Sequence, residues 1–398
     1  MNGKHRKDGP HDEKVPAYDA AVTEGAPPAG TGSHEVDRGP RELEGRGRTV
    51  LVTGASGMLG EHVARLLRGR NWTVRLLQRR HAALAEHPGV QEVLGSVTDP
   101  DAVARALEDV DDVVHLAAKV SFAGDWDEFV ATNVTGTRVL LETARRAGVD
   151  NVVFVSSPSV AHTGVSIVGE PARPADPVHA RGDYARSKAA AELLALEADG
   201  RGLRVTAVRP HIVWGPGDTQ LVERVVDRAA RGRMPLLDHG AALIDTTYID
   251  NAAEAIVRAL ERIEWSHGQA LVVTNGQPRT VGELISGFCR AAGVQPPTRR
   301  VPGAVARAAG TLIERLWALR PGADEPPMTA FLAEQLSTAH WFDQQTTREV
   351  LDWTPAVTVE EGMRRLTEYY RTHPLGAHDA PQPATGSTAA DAAPADIP

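Results

Sequence analysis

The run TVLVTGASGMLGEHVARLL at residues 49–67 constrains the fold more than any other stretch. Val50, Leu51 and Val52 are apolar without alternation, as expected of a strand covered on both faces of a parallel sheet. Gly54, Gly57 and Gly60 follow, and apolar residues then recur with a helical period. A strand, a glycine turn and a helix start together make an anion cradle. Gly54 permits the turn, Gly57 lets a pyrophosphate approach the backbone, and Gly60 lets the helix pack closely on the sheet. Ser56, Met58 and Leu59 stand in the same turn and are assigned to the cradle with the glycines. A glycine triplet alone is a weak signal. Here strand and helix flank it in the required order, so a bound dinucleotide is expected over a purely structural turn.

Strand-like and helix-like runs alternate through the rest of the chain, which predicts an α/β fold with a parallel sheet. Strands are expected at Thr49–Thr53, Thr73–Leu77, Gln91–Leu94, Asp112–Leu116, Asn151–Ser156 and Arg204–Val208. Asp99 before Pro100 reads as a helix cap, an acceptor followed by a residue that needs no amide hydrogen. Residues 1–47 and 374–398 are poor in large apolar side chains and are expected to be disordered tails; a truncation at residue 45 is expected to be tolerated. Between them, 48–240 reads mainly as a dinucleotide-binding domain. Residues 241–373 read mainly as a smaller substrate-binding region that lends some elements to the sheet.

Composition excludes several function classes. The net charge of −9 offers no basic field for nucleic acid. Cys289 is the single cysteine, so no internal disulfide forms and a reducing cytoplasm fits. No apolar secretion signal opens the chain, and no stretch of about 20 uncharged apolar residues predicts a membrane span. No metal site is read.

The second strand ends LLQRR. A carboxylate at that place would hold a ribose 2′-hydroxyl; Gln78, Arg79 and Arg80 stand there instead. A guanidinium pairs well with a 2′-phosphate, so NADP (NADPH) is expected, with Arg79 as the main contact. Further on, DYARSK places Tyr184 and Lys188 four apart, on one helix face. A cation beside a phenol lowers its pKa and makes it a usable proton donor or acceptor.

Six segments in order, TGASGMLG, HLAAKV, NVTGT, VSSPSV, YARSK and RPHIVWGPGD, resemble the extended short-chain dehydrogenase/reductases, across about residues 48–372. HLAAKV, SSPSV, RPHIVWGPGD and TTYIDNAA resemble the 3β-hydroxysteroid dehydrogenase-like branch of the epimerase/dehydratase group. WGPGDTQLVERVVDRAARGR, TNGQP, ERLWAL and EPPMTAFLAEQLSTAHWFD resemble bacterial 2-alkyl-3-oxoalkanoate reductases of olefin biosynthesis. The resemblance implies a Rossmann-type doubly wound sheet and an NADPH-dependent ketoreductase acting on an apolar keto acid, giving the hydroxy acid. A steroid or sterol-carboxylate dehydrogenase and a nucleotide-sugar epimerase or dehydratase are the alternatives. A homodimer and an assembly with the condensing and lactone-forming enzymes of that pathway stay open as partners.

The resemblance also implies roles residue by residue. Ser157 would hydrogen-bond the substrate carbonyl, with Ser156 and Ser159 as weaker candidates. Tyr184 would protonate the carbonyl oxygen, and Lys188 would hold the ribose hydroxyls and keep the phenol acidic. Asn133 would support the proton network or, equally, serve only its helix. Ala117 and Ala118 would let the cofactor lie on the backbone. Lys119 would approach the ribose or a substrate carboxylate, with solvated surface charge as the alternative. Pro210, His211 and Val213 would flank the nicotinamide, and His211 would meet a substrate carboxylate or pack as a structural histidine. One departure stands at LGSVTD: Ser96 occupies the place where many relatives carry an adenine-binding Asp, leaving Ser96 and Val97 to contact the ring. Asp250 or Asn251 is expected to cap the following helix. The apolar face of 301–319 either roofs a lipid pocket, touches a membrane surface peripherally, or packs on its own domain, which is the default.

Overall fold

The computed structural model describes residues 41–121, 124–200, 202–317, 334 and 336–375. The tail readings for 1–40 and 376–398, and the end of the 301–319 segment, lie outside the described residues. Fifteen strands occur among the described residues: β1 (Thr49–Thr53), β2 (Thr73–Gln78), β3 (Val90–Leu94), β4 (Asp112–His115), β5 (Asn151–Val155), β6 (Ile167–Glu170), β7 (Arg204–Pro210), β8 (Val213–Trp214), β9 (Leu236–Leu237), β10 (Leu243–Ile244), β11 (Thr247–Tyr248), β12 (Ala270–Val273), β13 (Arg279–Thr280), β14 (Arg300–Val301) and β15 (His340–Phe342). The helices that matter below are α1 (Met58–Gly69), α2 (Pro100–Ala106), α3 (Trp126–Phe129), α4 (Gly136–Ala147), α5 (Asp183–Glu197), α6 (Val222–Ala230) and α7 (Ile249–Glu261).

Seven strands pair in the order β12-β7-β5-β4-β1-β2-β3, all parallel. The apolar run of β1 explains why helices cover both faces. Val50 and Val52 join one core with Val63 and Leu67 of α1 and Ile256 and Leu260 of α7. Leu51, between them, points to the opposite face and joins Val103 of α2, Leu140 of α4 and Ala195 of α5. The result is the expected doubly wound Rossmann-type sheet. Asp99 caps α2 as its spacing suggested, accepting from the amides of Asp101 and Ala102.

The C-terminal half does two things. It returns β12 to the sheet beside β7, and it builds a smaller sheet, β13-β10-β15-β6. That sheet joins segments far apart in sequence, so no single stretch announces it. A third core around Trp214, Tyr248 and Phe288 holds the region to α6 and to the helices Val281–Ala291 and Val359–Thr372. Neither Asp250 nor Asn251 caps α7, as the sequence suggested. The cap position is Tyr248; Asp250 pairs with Arg365 at 2.8 Å, and buried Asn251 spends its amide on Asn275, Ala356 and Val357. Tertiary partners outcompeted the local bond. Among the described residues, no helix is long and apolar enough to cross a membrane, and no group of three or more metal-ligating side chains forms.

Residues 41–47, read above with the tail, pack on the sheet unit. Leu43 donates its amide to the Glu261 carbonyl at 2.6 Å and packs against the first core. Glu42 bridges Arg258 and Arg262 at 2.9 and 2.8 Å, and these guanidiniums hold its carboxyl at about 2. Solvent-screened ion pairs of this kind contribute about 0.5 kcal/mol each and a half-buried leucine about 1 kcal/mol. Chains starting at residue 41 and at residue 46 are therefore expected to differ by about 1–2 kcal/mol in denaturant unfolding. Equal midpoints would show that the segment adds nothing.

Candidate active site

The glycine turn fits a dinucleotide. Gly54 adopts φ +77°, and a Cβ there would lie 2.8 Å from the Ala117 amide nitrogen. A Cβ on Gly60 would lie 2.3 Å from the Gly54 carbonyl oxygen, so the helix start sits directly on the turn. A Cβ on Gly57 would meet only the Gly54 carbonyl oxygen, at an ordinary 3.5 Å, and α1 begins there with no side chain capping its first amides. This is the arrangement an anion needs. Ser56 is exposed beside Gly57, while Met58 and Leu59 turn partly into the third core.

At the end of β2, Arg79 and Arg80 are exposed. A carboxylate does stand nearby, which the sequence did not announce because it comes from β3. Glu92 accepts from Gln78, from the Ala82 amide and from His81. These bonds outweigh the burial that pushes its pKa up, and the net shift is downward. Ser96 turns its hydroxyl into its own turn, 2.8 Å from Thr98, and Val97 is buried against Gly136.

A buried polar chain joins the strand end before the glycine turn to α5. Thr137 gives its only hydroxyl proton to the Asn133 carbonyl at 2.6 Å. It must therefore receive the His115 Nε2–H at 3.1 Å. His115 Nδ1 then carries the lone pair and takes the Thr53 hydroxyl proton at 2.7 Å, while Thr53 Oγ1 accepts the Ala117 amide at 3.0 Å. Every proton in the chain is assigned, and burial holds His115 neutral, down at about 3. Asn133 lies in a π-helical turn, Val130–Thr135, between α3 and α4. Its side chain clamps both backbone groups of Lys119 and donates to Ser187 of α5 at 2.9 Å. Asn133 thus touches neither Tyr184 nor Lys188 through its side chain. Lys119 is itself engaged by Glu128 and lies over the Phe129 ring.

Tyr184 lies in the first turn of α5, with Ser157 near enough to favour its phenolate. Ser157 Oγ accepts from the Ser159 hydroxyl at 3.0 Å, so its own proton is free to face the phenol oxygen. Ser156 is buried on the other side with no partner for its hydroxyl. The cation effect expected from DYARSK is not what this geometry delivers. Lys188 Nζ donates to the Val155 carbonyl at 2.7 Å and sits over the Phe154 ring. Burial pushes the phenol up to about 12, against the Ser157 bond, and pushes Lys188 down to about 7, against Glu192. Glu192, two turns along α5 from Tyr184, forms a fully buried ion pair with Arg209 of β7, Nε to Oε2 at 2.8 Å. Pro210 closes β7 beside β12, and Val213 pairs with Thr247. His211 is buried, with Nδ1 2.6 Å from the Asp245 carbonyl.

Burial also lowers His211 to about 4 and His340 to about 3. For each such histidine the unfolded chain binds a proton below about 6.5 that the folded chain refuses. The stabilisation is complete above that pH and is lost as pH falls toward the folded values. The unfolding free energy is expected to drop steadily from pH 6.5 to 4, by up to about 1.4 kcal/mol per pH unit for each histidine, and the melting temperature with it. A flat profile across that window would contradict neutral burial.

The sequence pattern of the NAD dependent epimerase/dehydratase family matches residues 50–273. A 2-alkyl-3-oxoalkanoate reductase from Stenotrophomonas maltophilia is 38% identical over 324 residues, covering 80% of this chain and 98% of that protein. A 3 beta-hydroxysteroid dehydrogenase/Delta 5-->4-isomerase from Mycobacterium tuberculosis is 28% identical over 333 residues, covering 81% and 90%. Among solved structures, MoeE5 in complex with UDP-glucose and NAD superposes with a TM-score of 0.64 at 24% identity, covering 82% of this chain and 99% of that one, a likeness of fold alone.

Proposed function

The chain belongs to the NAD-dependent epimerase/dehydratase family, the extended short-chain dehydrogenase/reductases, and from that premise we propose that it reduces the 3-keto group of a 2-alkyl-3-oxoalkanoic acid with NADPH. One observation carries the chemistry: Tyr184, Ser157 and Lys188 come together at the C-terminal end of β5, with β4 between it and the strand that ends in the glycine turn. The substrate class rests on likeness to the Stenotrophomonas relative along nearly its whole length.

When bound, the nicotinamide supplies the hydride to the carbonyl carbon. Tyr184 gives its hydroxyl proton to the carbonyl oxygen, and burial favours the protonated phenol that this direction requires. Ser157 orients that oxygen by a hydrogen bond. Lys188 is assigned to the ribose hydroxyls. Asn133 acts as a positioning residue, holding the Lys119 backbone against α5. A steroid or sterol-carboxylate dehydrogenase is the second reading, favoured by the Mycobacterium relative. The exposed Arg79 supports NADPH and weighs against an epimerase that retains NAD.

Oxidation of a long-chain 2-alkyl-3-hydroxy acid, followed by nicotinamide absorbance, tests the reading. Turnover with NADP and little with NAD is expected. A steroid alcohol turning over in its place would move the assignment to the second reading. Arg79→Ala is expected to lower kcat/KM for NADPH by about tenfold or more, from loss of a charge-assisted pair, and to leave NADH little changed. An unchanged NADPH/NADH ratio would remove Arg79 from recognition. Tyr184→Phe is expected to lose turnover by a factor of about 1,000 or more while NADPH binding stays measurable by fluorescence. Turnover at the wild-type level would take Tyr184 out of the mechanism.

A further inference from the structure

Three imidazoles meet beside the Ser157 turn, brought from three distant segments. His162 follows the turn Pro158–Ala161, His211 follows β7, and His340 opens β15. All three are buried. His162 and His340 touch through their Nε2 atoms at 3.0 Å, and the His211 and His340 rings lie 6.0 Å apart. Phe342 packs on the other side of His211 at 5.1 Å between ring centres.

Hydrogen-bond counting fixes the protons. The Asp245 carbonyl only accepts, so His211 carries its proton on Nδ1, and Nε2 is a lone pair without a partner among the described residues. Thr338 gives its hydroxyl proton to the Glu334 carbonyl at 2.8 Å, so it can only accept from His340 Nε2, which therefore carries the proton. His162 Nε2 is then an acceptor, and His340 must donate to it from Nε2, sharing that proton with Thr338 Oγ1 at 2.9 Å. His340 Nδ1 is left as a second lone pair, buried and without any partner. Two bare acceptors therefore remain on adjacent rings. The His340 nitrogen is buried away from water, where an unmatched acceptor is costly and a proton is what it lacks.

Among the described residues, four nearby cations are already engaged. Lys119 is engaged by Glu128, Arg209 by Glu192, Arg181 by Glu334 at 3.0 Å, and Arg186 by Asp183 at 3.7 Å. The charged groups facing the cluster are Glu334, whose Oε1 has no partner, its companion Arg181, and Asp245, whose carboxylate is spent on Thr274 and the Gln277 amide. We propose that the His211–His340 pair, backed by His162, is the receptor for the substrate's carboxyl group and takes up one proton for each carboxylate it binds. This rests on the reading of the substrate as an acid. An imidazolium and a carboxylate arriving together cancel each other's charge, so the site stays neutral both empty and filled. A neutral alcohol or ester brings no such partner. The apolar neighbours Ile167, Val272 and Phe342 suit the alkyl part next to the acid.

Calorimetry on the full chain saturated with NADP tests this. The ligands are 2-butyloctanoate and 2-butyl-1-octanol, measured in two buffers of different ionisation enthalpy. At about pH 7.5 the acid is expected to bind with uptake of about one proton and the alcohol with none. Affinity for the acid is expected to fall about tenfold per pH unit wherever that uptake is about one proton, and to level off above the pKa of the bound imidazolium. His211→Asn keeps an N–H for the Asp245 carbonyl but deletes Nε2. That variant and His340→Gln are each expected to abolish the uptake and weaken the acid about tenfold or more, with the alcohol changed less than about threefold. Acid binding without proton uptake, equal weakening of both ligands, or no acid binding by the wild type would overturn the proposal. Turnover is read separately. Proton-linked acid binding without oxidation of the 2-alkyl-3-hydroxy acid would keep the receptor and sink the reductase reading.

Discussion

The buried Glu192–Arg209 pair decides where α5, which carries Tyr184 and Lys188, sits. The buried face of α5 is mostly alanine, with Ala185, Ala189, Ala191 and Ala195, and side chains that small permit close approach without specifying one register. An ion pair with neither partner exposed does specify one, because any shift would strand a charge in the core. Glu192 lies one turn beyond Lys188, and Arg209 immediately precedes Pro210 and His211. The same contact therefore sets α5 and the end of β7 relative to each other. Such pairs add little net stability over apolar packing; their contribution here is position.

A second polar system fixes the other side of the crevice. The chain from the Ala117 amide through Thr53, His115 and Thr137 to Asn133 ties the strand end that precedes the glycines to the π-helical turn and so to α5. Because each donor has one acceptor, the network has a single low-energy arrangement. A rigid crevice of this kind suits a hydride transfer, which tolerates little misplacement between donor and acceptor atoms.

The electrostatics of the site run through burial more than through charge pairs. The i, i+4 spacing of Tyr184 and Lys188 was legible in the sequence, and with it the expectation of an acidified phenol. The folded protein aims Lys188 at the Val155 carbonyl, and desolvation raises the phenol and lowers the amine. Spacing gave the shared helix, but side-chain direction is chosen by the acceptor that the neighbouring strand presents. Lys119 shows the same thing: its position after β4 was evident, while its capture by Glu128 was not.

What the sequence alone determined was whatever local chemistry encodes. The six strands read from apolar runs, the glycine turn, the Asp99 cap and the shared helix face of Tyr184 and Lys188 follow from periodicity, φ preferences and short spacings, which act over a few residues, whereas Ser157 came only from the family resemblance. Only the tertiary structure decided what depends on contacts between distant segments. It placed Glu92 of β3 beside the end of β2, packed Leu43 on the core, drew β12 into the sheet, and brought His162, His211 and His340 together. No local pattern marks those residues. Their partners are set by which strands become neighbours, and their protonation is set by how completely water is excluded once the two sheets and the helices have closed over them.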